Sequence, residues 1–359
     1  MRSRYIDLDA PKPKRRLKRR KLLILPLILL ALAGGLFALS RTPFGQSLLA
    51  PVSFFVQMVR PISLTEVDGR VNILVLGLDS RTDSFSGLTD TILIGSASPL
   101  EGDAALVSIP RDFWLNLAPY GSGKINTAFN YAGIQKDGKF DSQKALEFSK
   151  SKIEGVLGIE IPYWVVVNFE GFKEIIDTLG GINVTVDTAF DDYAYPTPNY
   201  GYKHISFKAG PQVMNGEKAL EYARSRSGTN GEGSDYARVR RQQKVILGVK
   251  DKVMSFNLLL NPGKLSQLYK QINAAVMTNA SLGEIRKALE IADKFSDLGQ
   301  ISSLVLDPSS GLVYHPLNPA PYGGAWVLLP EGGNFSKIQA AVRNLLFGSE
   351  AGQASETQP

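Results

Sequence analysis

Eighteen uncharged residues at 22–39, rich in Leu, Ile and Ala, sit directly behind a basic block and constrain everything that follows. At about 1.5 Å rise per residue the run reaches roughly 27 Å as a helix, close to the roughly 30 Å hydrocarbon core of a bilayer, with Lys21 and Arg41 placed to snorkel at its ends. Residues 1–21 carry ten Lys/Arg against Asp7 and Asp9. Positive flanks stay cytoplasmic, which predicts a single-pass cell-membrane protein with a basic cytoplasmic tail over 1–21, a transmembrane helix over 22–39, and all later residues outside. The alternative is a cleaved signal peptide with Ala31-Leu32-Ala33 as its cleavage site. Either way the working part lies outside the cytoplasm.

The net charge of +6 belongs to that tail: residues 1–21 are net +8, which leaves 22–359 at net −2. An extracellular part without basic excess argues against nucleic acid as a partner and against ATP as a substrate. Zero cysteines exclude disulfides, thiol nucleophiles and Cys-ligated metals together. Gly121-Ser122-Gly123-Lys124 looks like a P-loop fragment, but Ala118 stands where the first Gly is required and Ile125 where Ser/Thr is required. His204 and His315 have no HExxH-type context, and the chain has no G-x-S-x-G elbow.

Pro43, Pro51 and Pro61 break up a stalk over 40–69. Beyond it, apolar runs predict strands over 71–78, 91–97, 104–109, 163–169, 182–186, 301–306 and 325–329. Helical periodicity predicts helices over 126–132, 143–157, 171–179, 216–224, 235–255, 264–277, 282–295 and 336–346, and 190–202 reads as an aromatic loop. Interleaving of this kind predicts an α/β fold of mixed α+β character: one extracellular domain over 70–347, a central mixed sheet flanked by helices, then a polar disordered tail over 348–359.

The densest chemistry lies in Arg224-Ser225-Arg226, a Gly-rich loop expected to be mobile until a ligand binds, and Asp235-Tyr236-Ala237-Arg238-Val239-Arg240-Arg241-Gln242-Gln243. Ser234 or Asp235 can cap a helix here. Arg238, Arg240 and Arg241 then occupy its positive end, at a cost of roughly 0.3–1 kcal/mol each. Either a polyanion such as pyrophosphate offsets that cost, or the arginines pair with carboxylates elsewhere or form a solvated face. If the first three strands form a meander, Asp79, Asp90 and Arg111 emerge on one edge, where two carboxylates suit a hard oxygen-ligated cation such as Mg²⁺ shared with phosphate. The alternative is that each Asp only caps a local turn or strand start.

These residues resemble the LytR-CpsA-Psr family of bacterial cell-wall proteins. The resemblance runs through Gly77-Leu78-Asp79-Ser80-Arg81, Thr89-Asp90-Thr91, Ser108-Ile109-Pro110-Arg111-Asp112 and Lys124-Ile125-Asn126-Thr127-Ala128. It continues in Asp177-Thr178-Leu179-Gly180-Gly181-Ile182, Asn215-Gly216-Glu217-Lys218-Ala219-Leu220, Tyr222-Ala223-Arg224-Ser225-Arg226, and Asp235 with Arg238 and Arg241-Gln242-Gln243. The resemblance implies a phosphotransferase that moves a glycopolymer, such as teichoic acid or capsular polysaccharide, from a polyprenyl-pyrophosphate donor to peptidoglycan. The acceptor would be the C6 hydroxyl of N-acetylmuramic acid, and polyprenyl phosphate would leave. Asp79 and Asp90 would hold Mg²⁺, or Mn²⁺ in its place. Arg81, Arg111, Arg224, Arg226, Arg238, Arg241 and Gln242 would grip the pyrophosphate, with Asp235 orienting the cluster. Catalytic roles fall to Asp90, Arg111 and Arg238, with Asp90 the candidate to assist deprotonation of the hydroxyl. Leu88 departs from the family, which often carries an Arg there. The helix over 143–157 and the strand over 163–169 could line a lipid groove, though ordinary core is preferred. A lipid pyrophosphate hydrolase and a non-catalytic sensor of wall precursors are the competing readings.

Overall fold

The computed structural model describes residues 63–80, 87–197, 201–255, 276–292 and 301–348. The expected membrane helix over 22–39, the stalk up to 62, Arg81, most of the helix expected over 264–277 and the tail over 349–359 lie outside the described residues. Among the described residues no helix is long and apolar enough to cross a membrane.

In chain order come strands β1 (Val71–Asp79), β2 (Leu88–Ser98), β3 (Asp103–Ser108), β4 (Trp114–Asn116) and β5 (Ser122–Lys124), then helices α1 (Ala128–Gly133) and α2 (Ser142–Leu157). Next are β6 (Tyr163–Asn168), α3 (Phe169–Thr178), β7 (Ile182–Val186), β8 (Phe190–Pro196), β9 (Tyr202–Phe207), β10 (Gly210–Met214), α4 (Gly216–Arg224) and α5 (Asp235–Ser255). The chain continues through β11 (Val276–Thr278), α6 (Leu282–Ala292), β12 (Ile301–Val305), β13 (Val313–Tyr314), β14 (Leu329–Pro330) and α7 (Ser336–Phe347).

Period-two alternation in β1 decides how the molecule closes. Asn72, Leu74, Leu76 and Leu78 are buried on one face, while Ile73, Val75, Gly77 and Asp79 on the other are only partly covered. β1 is the third strand of a six-stranded mixed sheet in the order β11-β6-β1-β2-β3-β12. It pairs antiparallel with β2 and parallel with β6, β3 runs antiparallel to β2, and β12 parallel to β3. The C-terminal ends of β1, β3, β6 and β12 and the N-terminal end of β2 therefore share one edge.

The two sheet faces receive different partners. Leu74, Leu76, Ile92, Ile94 and Val107 pack with α2, through Ala145, Leu146 and Ile153, and with α7, through Ile338, Val342 and Leu346. Helix α2 is thus core, in line with the preferred reading of 143–157. Buried Arg70 ties this side together, donating from Nη1 to both Asp103 oxygens at 3.0 and 2.9 Å and to the Leu346 carbonyl at 2.8 Å. Beyond the opposite face lies a second core, in which Ile176 of α3, Ala219 and Tyr222 of α4 and Val245 of α5 meet Val184, Phe190 and Phe207 from the β7/β10 and β8/β9 ribbons. Gly216 allows α4 to approach α3 closely, since a Cβ there would stand 2.3 Å from the Lys173 carbonyl oxygen.

Two local expectations are corrected. The stretch 190–202 is largely the β8/β9 ribbon rather than a loop, because Phe190, Asp192 and Tyr195 turn inward around a register shift. Residues 276–278 form an edge strand on β6 rather than a helix end, since pairing with Val165, Val166 and Val167 satisfies their backbone.

Candidate functional site

On β2 the register passes from Gly77↔Thr91 to Leu78↔Thr89, which leaves Asp90 as the extra residue of a bulge. Bulges re-aim side chains, and this one turns the carboxylate toward Arg111. β2 therefore starts at Leu88, earlier than the apolar run suggests, and Asp90 sits inside the strand. The close crossing needs Gly77, where a Cβ would come 2.9 Å from the Thr91 Cβ. Arg111 Nη1 donates to Asp90 Oδ2 at 2.7 Å, and Asn126 Nδ2 donates to Asp90 Oδ1 at 3.3 Å. Asp112 braces the pair from behind: Oδ1 accepts from Lys124 Nζ at 2.5 Å, and Oδ2 lies 3.4 Å from Arg111 Nε. Burial opposes the Arg111 charge, but Asp90 and Asp112 outweigh it and hold the guanidinium above its ordinary pKa. On the neighbouring strand end, Asp79 Oδ1 is buried with no hydrogen-bond partner among the described residues. The sheet thus brings Asp79, Asp90 and Arg111 to one edge.

The arginine cluster is organised differently. Helix α4 ends at Arg224, and buried Ser225 is pinned from two sides. Its Oγ donates to Asp192 Oδ2 at 2.7 Å, and its carbonyl accepts from Arg241 Nη2 at 2.5 Å. Asp192 Oδ2 also accepts from the amides of Arg226 and Ser227 at 3.2 Å each. Burial pushes the Asp192 pKa up, yet the Ser225 hydroxyl and the Ala194, Ser227 and Arg226 amides outweigh it and hold the carboxyl below the usual range.

Arg241, expected to grip pyrophosphate, lies in the interior of the fold. It is 1% exposed and spends its donors on the protein: Nε on the Tyr222 carbonyl at 2.8 Å, and Nη1 on the Glu232 carbonyl at 2.7 Å and Oε2 at 2.6 Å. Burial pulls its pKa down despite Glu232, and burial likewise pushes the adjacent Tyr222 phenol up to about 12. Arg240 pairs with the other Glu232 oxygen. For these two arginines, pairing with a carboxylate elsewhere in the fold is the answer. The loop expected to be mobile is tied down: Thr229 N donates to the Asp191 carbonyl at 2.9 Å and Asn230 Nδ2 to the Ala189 carbonyl at 2.7 Å.

The other predicted residues fall around three cavities. Arg111, Arg226 and Arg238 line one of about 50 Å³, with Asp307 and Trp326 on its wall. Arg224 goes elsewhere, its guanidinium carbon 3.8 Å above the Phe169 ring. It lines a cavity of about 130 Å³ with Asp79, Lys173 and Lys203. It also borders an apolar cavity of about 110 Å³ with Gln242, enclosed by Val75, Leu93, Val167, Phe172 and Ile246. That cavity occupies the partly covered face of the sheet. Ser234 Oγ caps α5 by accepting from the Ala237 amide at 3.1 Å, and Asp235 opens the helix. Sequence reasoning missed Asn126 and Lys124 as supports of Asp90 and Arg111, although both stand in a quoted motif. It also missed Asp192 and Glu232, which nothing in their own sequence neighbourhood distinguishes.

A family model, described as the LytR_cpsA_psr family, matches residues 53–313. Among curated proteins, the polyisoprenyl-teichoic acid–peptidoglycan teichoic acid transferase TagU of Bacillus licheniformis is 28% identical over 247 residues, 68% of this chain and 67% of the relative. The TagU of Bacillus subtilis is 30% identical over 209 residues, 58% of this chain and 59% of the relative. Among solved structures, TagV of B. subtilis matches with a TM-score of 0.54 and 26% identity, over 78% of this chain and 98% of that one. The LytR-CPS2A-psr family protein YwtF (TagT), solved with octaprenyl pyrophosphate lipid bound, shares the fold at a TM-score of 0.51 and 20% identity, over 80% of this chain and 94% of that one.

Proposed function

Because this chain belongs to the LytR-CpsA-Psr family, we propose that it is a phosphotransferase which attaches a polyprenyl-pyrophosphate-linked glycopolymer, a teichoic acid or capsular polysaccharide, to the C6 hydroxyl of peptidoglycan N-acetylmuramic acid. The relatives named as teichoic acid transferases support the transferase class. The observation that carries the finer reading is the cavity where Arg111, Arg226 and Arg238 converge from three separate segments. Guanidinium forks from three segments on one cavity match phosphate oxygens, which several of them can bond at once.

In the reaction the acceptor oxygen forms a bond to the sugar-bearing phosphorus, and the bond from that phosphorus to the polyprenyl phosphate breaks. Arg226 and Arg238 take the charge gathering on the oxygens of both phosphoryl groups. Arg111, fixed by Asp90 and Asp112, presents its guanidinium without having to reorganise. In this reading Asp90, paired with Arg111, is the carboxylate that would assist removal of the hydroxyl proton as the bond forms. Arg224 stands between the polar cavity and the apolar one, so the first isoprene units would lie against Val75, Leu93, Val167 and Ile246 while the headgroup meets Arg224. A membrane anchor at 22–39 would keep the domain beside a donor that is itself membrane-bound.

Asp79 and Asp90 fit a Mg²⁺ or Mn²⁺ ion. A buried carboxylate oxygen with no partner among the described residues, such as Asp79 Oδ1, is costly unless something cationic meets it. Among the described residues no group of three or more His, Cys, Asp or Glu could form an all-protein cage. An ion held there would take its remaining ligands from substrate phosphate and water. When bound, it would neutralise phosphate charge alongside the arginines.

The test combines the full-length protein in detergent with a short lipid-pyrophosphate-linked glycan, peptidoglycan oligomers and Mg²⁺, with and without EDTA, read by mass spectrometry. The expected product is a phosphodiester conjugate that needs the cation. Free phosphorylated glycan alone would replace this reading with a hydrolase, and tight lipid binding without turnover would replace it with a sensor.

A further inference from the structure

We propose that Trp326, on the rim of the arginine cavity, is the floor of a pyranose-binding subsite; the proposal rests on the transferase reading above. The segment that carries it lies past residue 313, where the family match ends. Trp326 remains 51% exposed although it lines the same cavity as Arg111, Arg226 and Arg238. An indole face beside a phosphate-binding cavity offers the flat apolar surface on which a pyranose ring stacks.

The backbone that follows the ring is held in place. Its neighbours Val327 and Leu328 are buried. The Leu328 amide donates to the Asp112 carbonyl at 3.0 Å, and the Leu328 carbonyl accepts from the Trp114 amide at 2.9 Å, so the segment is strapped to the stretch that begins with Arg111. One indole face stacks on His315, with centroids 5.2 Å apart and planes at 18°. The His315 ring is itself fixed, since Nδ1 donates to the Val327 carbonyl at 2.9 Å. With one face against His315, half of the residue's surface still remains exposed.

A glycan joined to pyrophosphate has its first ring one phosphoester bond from the charge the arginines hold, and the attacking sugar must approach the same phosphorus. A pyranose offers a face of C–H groups to an aromatic plate and hydroxyls at its edge to charged neighbours. Trp326 supplies the plate, and Asp307, on the same cavity wall, supplies an acceptor at its rim.

The experiment uses full-length wild type, Trp326→Ala and Trp326→Phe, titrated with polyprenyl pyrophosphate lacking sugar, the same lipid carrying a glycan, and a lipid-free peptidoglycan oligomer. Trp326→Ala is expected to bind the glycan-linked lipid about tenfold more weakly, the sugar-free lipid within about twofold of wild type, and Trp326→Phe to recover most of the loss. A loss confined to the oligomer would assign the plate to the acceptor sugar and also support the subsite. Equal losses for both lipids, or none for any sugar-bearing ligand, would overturn it. Intrinsic fluorescence gives a second readout, because Trp326 is one of three tryptophans and its emission should shift to the blue with glycan. Failure of the wild type to bind sugar-free lipid, with glycan binding through Trp326 intact, would overturn the donor reading and leave the subsite standing.

Discussion

At the sheet edge, Asp90 and Arg111 are placed by strand register, a bulge and one ion pair at 2.7 Å. In the 224–241 loop, by contrast, position is set by side chains buried beneath the surface, with Arg241 and Asp192 gripping the backbone that carries Arg224 and Arg226. The difference teaches that a run of like residues is not one functional unit. Arg238 and Arg241 are a single helical turn apart, yet one lines a cavity and the other is sealed in the interior. What separates them is Glu232, whose carboxylate and carbonyl accept from Arg241 and take it out of ligand binding.

The sharpest way to break this division is Arg241→Ala. Removing Arg241 leaves Glu232 with Arg240 alone and strips the buried Tyr222, Ser225 and Glu232 carbonyls of their donor, so an unfolding loss of about 3–5 kcal/mol is expected in urea titrations. A variant of unchanged stability that had lost donor binding would return Arg241 to the substrate site. Next in size, Arg238→Ala should lower kcat/KM for transfer by about 10²–10³ while costing under about 1 kcal/mol of stability. If its main effect were unfolding instead, the contrast with Arg241 would collapse.

Legibility in the sequence follows the same line. The central strands were readable because apolar runs such as Val71-Asn72-Ile73-Leu74-Val75-Leu76 have no helical alternative at that length, and antiparallel order alone put Asp79, Asp90 and Arg111 on one edge. The helix start at 235 was readable from Ser234 and the spacing downstream. The inward turn of Arg241 was not, because it depends on a carboxylate nine residues away across a loop. The apolar cavity was legible only through the strand over 163–169, which carries Val167; Val75 and Leu93 look in sequence like any buried strand. Only the coverage of that face by α3, α4 and α5 shows that it is incompletely filled.

Asp192→Asn is expected to cost about 1–3 kcal/mol at pH 7, because an amide nitrogen must face either the Ala194 amide or the Ser225, Arg226 and Ser227 donors. The folded carboxyl titrates below its unfolded value of about 3.9, so its stabilisation is complete above that value and fades as pH falls through the folded pKa. Urea midpoints of wild type and variant should therefore differ by a constant amount from about pH 5 upward and converge below about pH 4. A gap that stayed constant into acid would mean that Asp192 acts through shape alone.

The smallest effect tests the face the sheet leaves partly uncovered. Ile246 of α5 is 44% exposed yet lines the apolar cavity, and its carboxylate replacement should cost little stability because the position is already half in water. If the polyprenyl chain enters there, a charge at the mouth would meet the isoprene methyl groups, each worth about 0.8 kcal/mol when buried, before the headgroup reaches Arg224. Ile246→Glu should then weaken binding of a polyprenyl pyrophosphate about tenfold while leaving binding of a short, water-soluble pyrophosphate unchanged, measured by calorimetry. Equal weakening of both would place the mutation's effect on the arginines rather than on the lipid. No weakening of either would send the lipid to a different face and leave Val75, Leu93 and Val167 as incompletely packed core.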